Sequence, residues 1–220
     1  MKSKDAEKFT EYYRQRNVTG TYDNQREGTP YRRMKRAVEL KYFLELIDKK
    51  DSEKVLELGC SSGFLTKHLG KVTAIDTSEG MLKITKEKNP LANCLPGDMF
   101  SMQFKDNSFD KVVTMRVWNH LDMIDLTRAI RESKRVLKTG GYLIFDAEEK
   151  SLLRRIVGFF YQRIFRITGY KIYQYSIKEI VSLLRKEGFK VEKIKIIYHK
   201  VGRQILFRSK LIEKNKVQIK

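Results

Sequence analysis

The sequence is poor in the residues that staple small scaffolds together. Its 220 residues include two cysteines, three histidines and three prolines. Cys60 and Cys94 form no C-x-x-C pair and no metal-ligand spacing. A disulfide framework and a bound metal are therefore disfavoured, and a reducing, cytoplasmic setting is expected. No apolar run approaches the ~20 residues of a membrane span. The opening Met-Lys-Ser-Lys-Asp leads into mixed charge with no apolar segment, unlike a secretory signal. Acid is missing from one long stretch, because Lys150 to Lys178 holds seven basic residues and none acidic.

What is present is a core and an uneven charge. The hydrophobic fraction is 41%, enough for one domain with appendages. The formal charge is +19, but residues 51–147 carry 14 basic against 13 acidic side chains. Residues 148–220 carry 19 against 6. A localised excess points to an anionic partner, such as RNA or an anionic membrane surface, met through residues 148–220. Within it, Leu153, Ile156, Val157, Phe160, Ile164 and Ile167 recur at helical spacing among arginines. The segment 148–176 thus reads as a basic amphipathic insertion. Peripheral membrane contact is one use for it. Residues 209–220 read as a basic tail.

The chain is organised around Lys54 to His68. Val55-Leu56-Glu57-Leu58 reads as a buried parallel strand, Gly59 to Gly63 as a tight loop, and Phe64 to Leu69 as a short helix stopped by Gly70. Strand, glycine loop and helix form the first unit of a nucleotide-binding α/β sheet. Counted from Gly59, the dinucleotide fingerprint G-x-G-x-x-G needs glycine where Ser61 and Phe64 stand, so NAD is disfavoured. No Walker lysine follows. What remains is a carboxylate, Glu57, two residues before Gly59-x-Ser61-x-Gly63.

That pattern resembles motif I of the class I S-adenosylmethionine-dependent methyltransferases, E/D-x-G-x-G-x-G. Ser61 replaces the middle glycine, which predicts a small shift in the loop without loss of binding. Further motifs follow in order. Ile75-Asp76-Thr77-Ser78-Glu79-Gly80-Met81 ends a second strand and resembles motif II, with Asp76 placed to accept both hydroxyls of a ribose. Gly97-Asp98-Met99 resembles the family's adenine contact, an acid on the exocyclic amine and a side chain on the ring. Ser108-Phe109-Asp110-Lys111-Val112-Val113 resembles its fourth strand, whose end at Met115 meets the reacting methyl group. Leu137-Lys138-Thr139-Gly140-Gly141 precedes the fifth strand, Tyr142–Asp146.

The resemblance, to the small-molecule "methyltransferase domain 11" branch, implies S-adenosyl-L-methionine as cofactor. Its implied contacts are Glu57, Gly59, Cys60, Ser61, Gly63, Asp76, Thr77, Met81, Asp98, Met99 and Met115. It implies a Rossmann-like, doubly wound, mostly parallel seven-stranded sheet with a C-terminal antiparallel hairpin. Residues 1–50 form a helical lid in this reading, and residues 51–208 the catalytic domain. A helix over 31–48 should pack on the sheet. The lid aromatics Tyr12, Tyr13, Tyr22 and Tyr31 either cover the cofactor or merely pack.

The sulfonium methyl is already activated, so the protein chiefly positions a nucleophile. His120 is the candidate base, with a structural histidine as the alternative. Arg116 either binds an acidic acceptor group or caps the sheet edge. Trp118 either stacks on acceptor or fills core. Met115-Arg-Val-Trp carries neither the Pro-Pro-aromatic signature of amine-directed nucleic-acid methylases nor a cysteine nucleophile. Both nucleobase chemistries are thereby disfavoured, and the resemblance to the small-molecule branch implies a small or amphiphilic acceptor, with an RNA methyltransferase as the alternative. A non-catalytic basic binding module on a vestigial fold is the third reading.

Overall fold

The computed structural model describes residues 3–14, 21–23, 26–150, 172–199 and 202–212. Most of the basic insertion and the last eight residues of the tail lie outside the described residues, as does Gly20, the expected stop of the first helix. Helix α1 is Lys4–Arg14 and helix α2 is Pro30–Ile47. Then come β1 (Val55–Leu58), β2 (Thr73–Asp76), α3 (Glu79–Lys88), β3 (Asn93–Pro96), β4 (Phe109–Thr114), α4 (Met123–Val136) and β5 (Leu137–Glu149). The chain continues through β6 (Gln174–Tyr175), α5 (Ile177–Lys186), β7 (Phe189–Tyr198) and β8 (Arg203–Leu211).

The strands form one sheet in the order β3-β2-β1-β4-β5-β8-β7, with the two-residue β6 added beside the end of β5. Pairings from β3 across to β5 are parallel, while β8 is antiparallel to both neighbours. The expected seven strands and terminal hairpin are therefore present, plus one short strand. Alternation along the strands supplies two apolar faces. Leu56, Leu58, Val112, Phe145 and Phe207 pack with Leu126 and Ile130 of α4 and Ile180 and Leu184 of α5. Val55, Val113, Ile144 and Leu206 pack with Phe43, Leu46 and Ile47 of α2. Among the described residues no helix is long and apolar enough to cross a membrane.

Caps set the helix starts. Thr29 caps α2, whose first residue is Pro30, and Ser78 and Asp122 cap α3 and α4. Ser176 and Glu179 make the capping box expected for α5. Three spans differ from the sequence reading. Phe64 to Leu69 is not an α-helix; it is a series of turns ending in a 3₁₀ turn, Thr66–His68. Asn89 Nδ2 donates to the carbonyls of Thr66 and Gly70, capturing groups a longer helix would have used. β5 starts at Leu137, so Lys138 to Gly141 belong to a bulged strand and not to a turn. β8 runs to Leu211, which brings residues 209–211 into the sheet.

β1 is buried at all four positions, including Glu57. The Glu57 carboxyl accepts from Thr66 Oγ1 at 2.7 Å, beneath the loop. Burial pushes it up from 4.5 to about 8, Thr66 opposes this, and nearby Asp76 adds to it. It therefore holds its proton at neutral pH. Above it, Gly59 turns at φ 66°, and a Cβ there would stand 2.7 Å from Val117 Cγ2. Ser61 takes φ 51°, in the left-handed region that favours glycine.

Two outcomes follow from β1 and its loop. The folded chain keeps the Glu57 proton between pH 4.5 and about 8 whereas the unfolded chain loses it, so this group lowers stability as pH rises through that window. Urea unfolding of Glu57→Gln and wild type should give curves that diverge in favour of the variant from pH 5 to 8; parallel curves would contradict a buried neutral acid. Ser61→Gly should raise stability by about 1 kcal/mol by relieving the left-handed backbone. A lowered urea midpoint would show that the Ser61 side chain matters more than its backbone.

Candidate functional site

At the C-terminal ends of β1, β2 and β4 lies a cleft enclosing about 690 Å³ of non-atom space, part of it open solvent. It is lined by residues from the N-terminal segment (Thr10, Tyr13, Tyr22), the first loop (Gly59, Ser61), the β2 end (Ile75, Asp76, Thr77), the first turn of α3 (Met81), the segment after β3 (Gly97, Asp98, Met99, Phe100) and the β4 end (Met115, Arg116, Val117).

Asp76 is the hinge of the floor. One carboxylate oxygen accepts from the Ser61 amide at 2.8 Å and the other from the Ser78 amide at 2.9 Å. Burial raises its pKa, while these two amides and that of Thr77 pull it back. Each oxygen keeps a further lone pair for a hydroxyl group. The loop is braced again from α3, where Thr85 Oγ1 donates to the Ser61 carbonyl at 2.6 Å. Asp98 Oδ1 accepts from the Phe100 amide at 3.0 Å, making a turn that brings Asp98, Met99 and Phe100 to the same wall. With Ile75, Met81 and Met115 this end offers an apolar slot edged by a carboxylate.

The N-terminal segment is fastened down. The Ser3 amide donates to Asp125 Oδ2 at 3.0 Å, and Tyr173 OH donates to Asp5. Ser62 Oγ and Lys88 Nζ both donate to Asp23, at 2.6 and 2.5 Å, joining this segment to the loop. Tyr12, Tyr13 and Tyr22 stack edge to face, with centroids 5.1 and 5.8 Å apart, and Arg26 donates to Tyr13 OH.

The Arg116 end of the cavity holds a group of buried polar residues that sequence reading did not single out, apart from Arg116. Arg116, at φ 60°, donates its amide to Asp146 Oδ1 at 2.6 Å and its Nη1 to Glu39 Oε1 at 3.1 Å. Gln204 Nε2 donates to the other Asp146 oxygen at 2.6 Å. That fixes the amide, so Gln204 Oε1 accepts from His199 Nε2 at 3.3 Å. The same His199 Nε2 stands 3.4 Å from Glu39 Oε1, which closes the circuit. Burial pushes Asp146 up to about 6, partly offset by Arg116 and Gln204. For Arg116, burial lowers the pKa, but Glu39, Glu148 and Asp146 outweigh it and raise it. Burial, then Lys35, lower His199, which keeps its imidazole neutral.

Of the residues singled out from sequence, Gly59, Ser61, Asp76, Thr77, Met81, Asp98, Met99, Met115, Arg116, Tyr13 and Tyr22 meet at this cavity. Others do not line it. Glu57 is turned beneath the loop toward Thr66, so two of the three expected carboxylates face one space. Cys60 is buried with Ala74 and Leu82, and its thiol is pushed up by that burial. Gly63 packs on Thr85. Tyr12 stands behind Tyr13, and Tyr31 lies on the surface. His120 is buried in the 3₁₀ turn Trp118–His120. Trp118 packs in the core, its ring centroid 4.8 Å from that of Phe145. Among the described residues no cluster of potential metal ligands exists.

The groups present fit an adenosyl amino acid. Two carboxylates, a backbone loop and an apolar slot match its hydroxyls, amine and ring. Residues 56–145 match the methyltransferase domain family. The chain is 32% identical over 169 residues to an uncharacterized protein of Methanocaldococcus jannaschii, covering 67% of this chain and 66% of that one. It is 36% identical over 111 residues to the malonyl-[acyl-carrier protein] O-methyltransferase of Erwinia pyrifoliae, covering 47% of this chain and 40% of that one. In three dimensions it resembles magnesium protoporphyrin IX methyltransferase of Synechocystis with bound SAH, at a TM-score of 0.72 and 16% identity, over 92% of this chain and 97% of that one. Residues 56–145 thus carry a methyltransferase domain, set in a sheet whose fold is that of a solved methyltransferase.

Proposed function

We propose that the chain transfers the methyl group of S-adenosylmethionine to a small-molecule acceptor entering at the Met115–Arg116 end of the cavity. The observation that carries this reading is the meeting of Asp76 and Asp98, from successive strand ends, across one apolar slot. Asp76 accepts from the ribose hydroxyls. Asp98 accepts from the adenine amine, with Met99, Phe100 and Met81 against the ring. Gly59 and Ser61 present backbone to the amino-acid end. When bound, the cofactor supplies a methyl carbon already activated by the neighbouring sulfonium.

The chain's own contribution is then placement and dryness. Thr10, Tyr13 and Tyr22 cover the cavity from the lid. Arg116 is the charged side chain at the acceptor end, and its charge is fixed by Glu39. No histidine lines the cavity among the described residues, and Asp146 is committed to the Arg116 amide and Gln204. Positioning, without a dedicated base, is the mode this favours.

Isothermal titration with S-adenosylhomocysteine tests the cofactor end. Asp76→Ala removes a charge-assisted acceptor and the brace on Ser61, and should weaken binding about 10- to 100-fold. Wild-type affinity in that variant would refute the assignment. The Asp98 role is tested with S-inosylhomocysteine, which carries a carbonyl in place of the amine. Wild type should reject it, and Asp98→Asn should narrow the gap about tenfold or more. An unchanged ratio would remove Asp98 from adenine recognition.

A further inference from the structure

Arg36 is a largely buried cation, two of whose donor nitrogens make no hydrogen bond. It lies on α2 with its side chain 11% exposed. Its Nε and Nη1 are both buried without a hydrogen-bond partner. The guanidinium is packed over the Phe64 ring, 3.5 Å from the centroid, directly after Gly63 of the loop. Glu27 Oε1 stands 3.4 Å from Nη1, but out of line for a hydrogen bond. Burial lowers the Arg36 pKa; Tyr22 and Glu27 work against this, and Arg26 and Arg116 add to it. Glu39, on the same helix, is engaged by Arg116, Lys35 and His199. An ionised group held from water with open donors is costly unless something completes it.

The surroundings say what completes it. Arg36 interacts electrostatically with Tyr22 and Arg116, both in the cavity wall, and stacks on the residue that leaves the glycine loop. It therefore stands just behind the wall at the loop end of the cavity. A planar fork of N–H groups matches a carboxylate, which accepts two parallel hydrogen bonds.

We propose that Arg36 is the receptor for a ligand carboxylate at the glycine-loop end of the cavity, reached past Tyr22. The proposal rests on the cofactor site described under Proposed function. Two molecules can bring that group: the amino-acid end of the cofactor, or an acceptor that is itself a carboxylic acid.

Calorimetry on wild type and Arg36→Gln separates them, using S-adenosylhomocysteine and its decarboxylated analogue. Malonate and benzoate are then titrated into the S-adenosylhomocysteine complex. If the cofactor supplies the group, wild type prefers the carboxylated ligand by about tenfold or more, and Arg36→Gln binds both alike. If the acceptor supplies it, the variant keeps the wild-type ratio but loses the binding of malonate or benzoate seen in wild type. A variant that keeps both the ratio and the small-carboxylate affinity of wild type overturns the proposal. So does a wild type that shows neither. Should Arg36→Gln not fold, Arg36→Lys keeps the charge without the fork, and the same preference should shrink without vanishing. Failure of wild type to bind S-adenosylhomocysteine at all overturns the cofactor site itself, a distinct result.

Discussion

The site depends on the way the Asp76 carboxylate is shared. Each oxygen takes one backbone amide, from Ser61 on one side and Ser78 on the other. One side chain at the end of β2 thereby fixes both the loop after β1 and the first turn of α3. The hydrogen bonds also hold the carboxylate against its burial, which alone would favour the neutral acid. The loop is set before any ligand arrives, so little ordering cost is left for binding.

The two ends of the cavity are built on different principles. At the Asp76–Asp98 end the groups come from short stretches at consecutive strand ends, and local turns aim them. At the other end Arg116 is gripped at two points, by its own amide and by its guanidinium, through side chains from α2, β5, β8 and the β7–β8 connection. Each member is satisfied by the next, which makes a buried polar group of this kind tolerable in an otherwise apolar interior. The first arrangement suits a fixed cofactor. The second holds a cation at the mouth proposed for the acceptor.

That difference decides what can be read from the chain alone. Gly59, Asp76, Asp98 and Met115 are legible because strand, turn and spacing are local, and the end of a parallel strand says where a side chain emerges. Glu57 misleads, since a carboxylate near a glycine loop looks ligand-facing, yet the strand turns it down toward Thr66. His120 and Trp118 follow the β4 end in sequence, but the 3₁₀ turn folds them into the core. Glu39, His199 and Gln204 carry no motif. They come together only through sheet order, and Glu39 occupies the inner face of a helix where spacing alone asks for an apolar residue. Arg36 has one legible trait, its helical phase, which does not reveal that two of its donor nitrogens make no hydrogen bond.

The circuit around Arg116 also bears on how the molecule comes together. Its members, Glu39, Arg116, Asp146, His199 and Gln204, span most of the chain. Contacts of such high sequence separation form late, after loop closure has been met by other interactions. A chain still emerging during synthesis already holds Gly59, Asp76, Asp98 and Met115 before β5 is made, while the grip on Arg116 waits for β8 and the connection before it. The Asp76–Asp98 end of the cavity would therefore take shape first, and the setting of Arg116 only when β8 docks.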